Sequence, residues 1–186
     1  MTVLFADLKG FTPLDGSLGL DRVVDLLNGW FREMSAAIVA HNGHMAKFLG
    51  DGLMALFGAL DRNPWQARDG AEAALAMREA LARYNWTLVV RGLPALSFGV
   101  GLHRGPVIAG VIGGDAWMEY TVVGDTVHVA SRIQGLTRMH HTDTLVSEVV
   151  RSALGDRHLA RALLAAPVRG KAEPIRTYAV ERAGAS

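Results

Sequence analysis

The sequence predicts an α/β domain of the α+β kind, with a ferredoxin-like βαββαβ core, a largely antiparallel sheet and a C-terminal extension. Three observations lead there. Strand-like and helix-like apolar spacing alternate from the first residues onward, two long helical segments each follow strand signals, and Gly50-Asp51-Gly52 separates two short apolar runs as a tight hairpin would.

The elements follow in order. Val3 to Asp7 reads as a strand, and Leu18 to His41 as a helix, because Val23, Val24, Leu27, Trp30, Phe31, Met34 and Ile38 recur at helical spacing. Gly43 to Leu49 and Leu53 to Phe57 form the hairpin, which places Asp51 at its tip. Asn63-Pro64 marks a helix start, with Asn as cap and Pro in the first turn, and Ala/Leu/Met-rich sequence runs on to about Tyr84. Ser97 to His103, Pro106 to Ile112 and Met118 to Val123 are strand-like, and a helix is expected over Asp125 to Leu136. From Thr144 the tail holds a short strand, a short helix, and a last pair of strands about Val168 and Thr177 to Val180. Helices are expected on one face of the sheet, with Trp30, Met34 and Met77 in the core or at an interface.

Composition narrows the partners. The chain has 186 residues, half of them hydrophobic, which is enough for one domain with a sizeable core. It has no cysteine, so disulfides, thiolate metal sites and cysteine nucleophiles are excluded, and a cytoplasmic setting is expected. The formal charge is +1, from 19 basic and 18 acidic side chains without a polybasic tract, which points away from nucleic acid and anionic membranes and toward a small-molecule ligand. No apolar stretch approaches the ~20 residues of a membrane span, and no secretory signal is evident. Because a strand begins almost directly after Met1-Thr2, we expect a domain excised from a larger protein, with a sensor domain upstream.

Two aspartates carry most of the chemical information. Asp7 lies in Phe5-Ala6-Asp7-Leu8-Lys9-Gly10-Phe11-Thr12 and Asp51 in Lys47-Phe48-Leu49-Gly50-Asp51-Gly52, each just after a buried-strand signal. Carboxylates presented from such rigid edges suit a hard divalent cation, one or two Mg²⁺ or Mn²⁺, while backbone N–H groups of Lys9, Gly10, Phe11 and Thr12 could receive phosphate oxygens. Either aspartate taken singly reads first as a turn former or cap, and only their shared context favours the metal. Further along, His128 and Arg132 stand four apart on one predicted helix, so both face one direction. The remaining histidines lack metal-ligand spacing, and there is no Gly-x-x-x-x-Gly-Lys-Ser/Thr run, which excludes a P-loop ATPase.

These two segments, with Val100-Gly101-Leu102-His103-Arg104-Gly105, Glu119-Tyr120-Thr121-Val122-Val123-Gly124-Asp125-Thr126-Val127 through Arg132, and Arg169-Gly170-Lys171, closely resemble the class III adenylyl/guanylyl cyclase catalytic domain. The resemblance implies a cyclase domain over residues 1–182, a short tail over 183–186, and a homodimer whose active sites are shared between the subunits. It implies that Asp7, Asp51 and the Leu8 carbonyl ligate two metal ions, one lowering the pKa of the ribose 3′-hydroxyl and the other holding the phosphates. Gly10, Phe11 and Thr12 would contact substrate, Lys47 and Thr121 would read the purine, Arg132 would stabilise charge on the α-phosphate, and Lys171 would contact the β and γ phosphates.

Lys47 and Thr121 point to ATP: lysine can donate to adenine N1 and the threonine hydroxyl can accept from the exocyclic amine, where guanylyl members typically carry Glu and Cys. Threonine here also resembles the subgroup containing bicarbonate-responsive cyclases. His128 departs from the family's usual Asn and would orient the ribose differently. The leading reading is therefore an adenylyl cyclase forming 3′,5′-cyclic AMP and pyrophosphate. Its alternatives are a guanylyl cyclase, or a nucleotide-binding regulatory domain whose chemistry is weakened at His128.

Overall fold

A computed structural model describes residues 1–11, 18–60, 63–114, 117–156, 158–165 and 174–183. The strands are β1 (Thr2–Lys9), β2 (Gly43–Leu49), β3 (Gly52–Phe57), β4 (Ser97–Arg104), β5 (Ile108–Gly114), β6 (Trp117–Val123), β7 (Thr144–Ser147), β8 (His158–Ala162) and β9 (Thr177–Arg182). The helices are α1 (Leu20–Ala40), α2 (Gln66–Val90), α3 (Asp125–Met139) and the short α4 (Glu148–Arg151). The main sheet has the order β2-β3-β1-β4-β7-β9-β8, and β5 and β6 form a separate hairpin. Its first four strands have the ferredoxin-like order, with β1 central and antiparallel to both β3 and β4. The extension adds β7 parallel to β4, then β9 and β8. Among the described residues no helix is long and apolar enough to cross a membrane.

Strand alternation sorts the core into two sides. Leu4, Ala6 and Leu8 point toward α1 and α2, whose Trp30, Met34, Ile38, Met77 and Leu88 are completely buried beside them. Burial of each such large side chain contributes about 1.5–3 kcal/mol of hydrophobic stabilisation before entropy is counted. Val3 points the other way, to Met54, Leu56, Val122 of β6 and Ala130 of α3. The two core helices thus share one face, as expected, while α3 covers the opposite one. This is why Asp7, in phase with Val3 and Phe5, lies on the side of α3.

Several boundaries differ from the sequence reading. In α1, Val24 is exposed and Leu26 takes the buried place beside Trp30. Helix α2 begins at Gln66, so Pro64 precedes it; Asn63 accepts from the Trp65 N–H at 2.8 Å and donates to Asp69 at 2.7 Å, closing the turn before the helix. It also continues to Val90, because Leu88, one turn beyond Tyr84, is still fully buried. Strand β8 gave no clear signal: His-Leu-Ala-Arg-Ala is short and poor in β-branched residues, and it is positioned by pairing with β9 and by the buried His158 ring 3.1 Å from Glu72. The strand expected about Val168 lies outside the described residues.

Candidate active site

The end of β1 and the β2–β3 turn bring the two aspartates together. Asp7 stands opposite Gly52 in the ladder, and Gly50-Asp51 is a two-residue turn in which Gly50 takes φ +66°, a conformation that favours glycine. Gly52 is needed for a different reason. A Cβ at that position would lie 2.9 Å from Asp7 Oδ1 and 3.0 Å from the Ala6 carbonyl, so the absent side chain is the space the carboxylate occupies. Gly52→Ala is therefore expected to displace Asp7 and weaken Mn²⁺ binding about tenfold or more, with only a small change in Tm. Unchanged Mn²⁺ affinity in calorimetry would remove the role given to Gly52.

Asp7 is held in an environment that disfavours its charge. Burial raises its pKa, and the nearby Asp51 carboxylate raises it further by repulsion and by a side-chain hydrogen bond, against the opposing pull of Arg138. A half-buried carboxylate pressed against a second one is a place where a cation is electrostatically favoured.

That cation contact is supplied by Arg138, a residue to which the sequence reading assigned no role. From the last turn of α3 its guanidinium donates to Asp7 Oδ2 at 3.3 Å and to the Leu8 carbonyl at 3.3 Å. Lys9 makes the reverse connection, donating from β1 to the Thr142 carbonyl at 2.8 Å and lying 3.7 Å from Asp143. No motif marks Arg138; only the packing of α3 across β4 brings it to Asp7. That packing depends on Gly99 and Gly101, where an added Cβ would approach Thr137 Oγ1 to 2.0 Å and the Gln134 nitrogen to 2.1 Å.

The other sequence-predicted residues fall into three places. Lys47 reaches the Asp7 side of the sheet through a bulge. Met45 pairs with Ala55 but Lys47 pairs with Met54, so Ala46 is the extra residue, and regular alternation would have put Lys47 on the same side as Met45. Thr121 is half-buried on β6 opposite Gly110, in the hairpin that stands apart from the main sheet. His128 is exposed and Arg132 half-buried on α3. Arg132 and Arg138 are six residues apart, or roughly 120° around the helix, so the two leave α3 in different directions, and Arg138 is the one in contact with Asp7. Gly10 takes φ +68° and the Phe11 side chain is buried in the core, which leaves only main-chain groups there for a ligand. Thr12 and Lys171 lie outside the described residues.

A family model described as the adenylate and guanylate cyclase catalytic domain matches residues 1–182. The chain belongs to that family. It is 36% identical over 188 residues to an adenylate cyclase of Anabaena cylindrica and 31% identical over 180 residues to adenylate cyclase 1 of Rhizobium meliloti. Each match covers 97% of this chain but only 36% and 27% of the relative, so the cyclase domain spans about a third of the curated relatives it matches. Among solved structures, the adenylyl cyclase CyaB from P. aeruginosa superposes with a TM-score of 0.90 at 28% identity, covering 98% of this chain and 93% of that one. The guanylyl cyclase Cya2 superposes at 0.88 with 31% identity, covering 99% and 92%.

The donor set of this cyclase domain fits a divalent cation. Among the described residues no group of three or more His, Cys, Asp or Glu could hold a metal. Two carboxylates and a main-chain carbonyl, all oxygen, would suit Mg²⁺ or Mn²⁺ with positions left for water and phosphate oxygens. A guanidinium already contacts two of those three donors, so the position accepts positive charge. Neither the cavity of about 410 Å³ lined by Asn42, His44, Leu56 and Pro64 nor the one of about 480 Å³ lined by His103, Val107, Val123 and Val149 includes Asp7 or Asp51.

Proposed function

We propose that this domain is an adenylyl cyclase that converts ATP to 3′,5′-cyclic AMP and pyrophosphate at sites shared by two copies of the chain. The observation that carries the reading is the convergence of Asp7, Asp51 and the Leu8 carbonyl at one edge of the sheet, within a chain of the cyclase family. Two Mg²⁺ or Mn²⁺ ions would be held by these oxygens and would supply Lewis-acid activation of the ribose 3′-hydroxyl and charge neutralisation of the triphosphate. The chain's own residues do the rest. Backbone groups at Gly10, Phe11 and Thr12 bind phosphate, Lys47 and Thr121 orient adenine, His128 orients the ribose, Arg132 stabilises charge at the α-phosphate, and Lys171 holds the terminal phosphates.

Sharing between copies is supported by what a single chain leaves bare. Phe48 and Leu49 beside the Asp51 turn, and Ile108, Val111 and Met118 on the β5–β6 hairpin, are exposed large apolar residues next to the two halves of the site. The roughly 120° between Arg132 and the residue that reaches Asp7 supports a role for Arg132 at the α-phosphate of a site whose carboxylates belong to a second copy. The partial coverage of the curated relatives supports a further domain in the whole protein, a sensor being the natural one.

The decisive experiment is to measure cyclic AMP and cyclic GMP formed by the purified domain with Mn²⁺ and either ATP or GTP. Preference for ATP is expected. Equal or greater cyclic GMP would move the assignment to a guanylyl cyclase, and tight Mn²⁺–ATP binding without product would make it a regulatory nucleotide-binding domain. Base choice is expected to follow Lys47 and Thr121: the pair Lys47→Glu and Thr121→Cys should shift the ATP-to-GTP ratio of kcat/KM by about a hundredfold or more, since unpaired polar groups penalise the wrong base strongly. A ratio that stays put would take the purine-reading role away from both residues.

A further inference from the structure

Arg138 occupies an unusual position for a residue outside every sequence motif of the site. Its guanidinium contacts an oxygen of Asp7 and the Leu8 carbonyl, two of the donors assigned above to a divalent ion. Its approach is imposed by the fold: Gly99 and Gly101 let α3 lie against β4, and Lys9 ties the segment after α3 back to the end of β1. We propose that Arg138 is a resident counter-ion of the metal site, offsetting part of the charge of the paired carboxylates through Asp7 before a cation arrives and competing with the cation for Asp7 and the Leu8 carbonyl. The inference rests on Asp7 being a metal ligand.

Geometry sets the strength of this competition. Charge-assisted contacts reach 2.7–2.9 Å when strong, whereas both contacts of Arg138 are 3.3 Å. The Arg138 side chain is 60% exposed and that of Asp7 33%. A pair so placed in water is weak, worth a factor of a few in an equilibrium constant. It opposes part of the repulsion that Asp51 exerts on Asp7, and it is weak enough for a divalent ion to displace. Arginine suits the role because its charge is permanent, and here one terminal nitrogen, Nη2, contacts both oxygens at once. Once displaced, the long side chain can swing into solvent without moving α3, which its backbone packing holds in place.

The test uses the full 186-residue chain and Mn²⁺ alone, without nucleotide, with free Mn²⁺ followed by electron paramagnetic resonance and folding checked by circular dichroism. Arg138→Ala is expected to bind Mn²⁺ about threefold to fivefold more tightly than the native chain, and Arg138→Lys to fall between them. Adding guanidinium ion below denaturing concentration to Arg138→Ala should return the affinity toward the native value, which keeps the test independent of any small rearrangement in the variant. Equal or weaker Mn²⁺ binding by Arg138→Ala, with no response to guanidinium, would overturn the proposal. Asp7→Ala separates the two readings: if it binds Mn²⁺ as the native chain does, the assignment of Asp7 as a ligand has failed, whereas loss of binding there with no effect at Arg138 refutes the counter-ion alone.

Discussion

Asp7→Ala or Asp51→Ala is expected to lower cyclic nucleotide formation by about three orders of magnitude, and mixing either with Arg132→Ala to restore about a quarter of native activity. The first figure follows from removing a cation anchor, a loss of several kcal/mol at about 1.4 kcal/mol per tenfold in rate. The second is counting. Random pairing makes about half of all dimers mixed, and each mixed dimer holds one intact site of two. Each variant alone has both sites broken. The physical basis is the direction of the two basic residues on α3, with Arg138 reaching its own Asp7 and Arg132 turned away. Activity is measured as cyclic AMP formed by each folded variant and by equimolar mixtures after exchange. Mixtures as inactive as their components, with dimerisation shown to be intact, would sink the shared site.

Gly101→Ala is expected to lower thermal stability by about 3 kcal/mol, or roughly 6–12 °C in Tm for a domain of this size. The new methyl would lie 2.1 Å from the Gln134 nitrogen, 2.6 Å from its Cα and 2.7 Å from the Ala130 carbonyl. All three are backbone atoms of α3, so relief requires the helix to lift from β4 instead of a side chain rotating. Helix α3 carries His128, Arg132 and Arg138, and activity should therefore fall further than stability does. Gly135→Ala is the control: it is exposed on the same helix with nothing within 4 Å of an added Cβ. There the substitution should raise stability by about 0.5–1 kcal/mol, because alanine loses less backbone entropy in a helix interior. A native Tm for Gly101→Ala would mean that the helix–sheet contact is far looser than these distances.

The acidic half of the site was legible because both of its residues sit in local structure. Asp7 lies near the end of a buried strand and Asp51 occupies a two-residue turn between glycines, and short-range patterns are enough to place each. What brings the two carboxylates together is strand pairing, for which the hairpin was the only sequence evidence. The side of the sheet that Lys47 takes could not be read from the sequence, because a bulge at Ala46 leaves no composition signal and yet reverses it. Arg138 was missed outright. It is one of several arginines at exposed helix positions, and its partner is 131 residues away in the chain.

Element type and order apart from β8, the hairpin with its acidic tip, and the family motifs were written in the linear chain, since apolar period, turn glycines and residue spacing act over a few positions at a time. The fold itself determined that α3 crosses the face opposite α1 and α2, that Lys47 shares the side of Asp7, and that Arg138 rests on the donors of the proposed cation. Those outcomes turn on a one-residue change of register and on glycines whose missing side chains admit a neighbouring backbone. Such quantities exist only after distant segments have packed, which is why no local pattern encodes them.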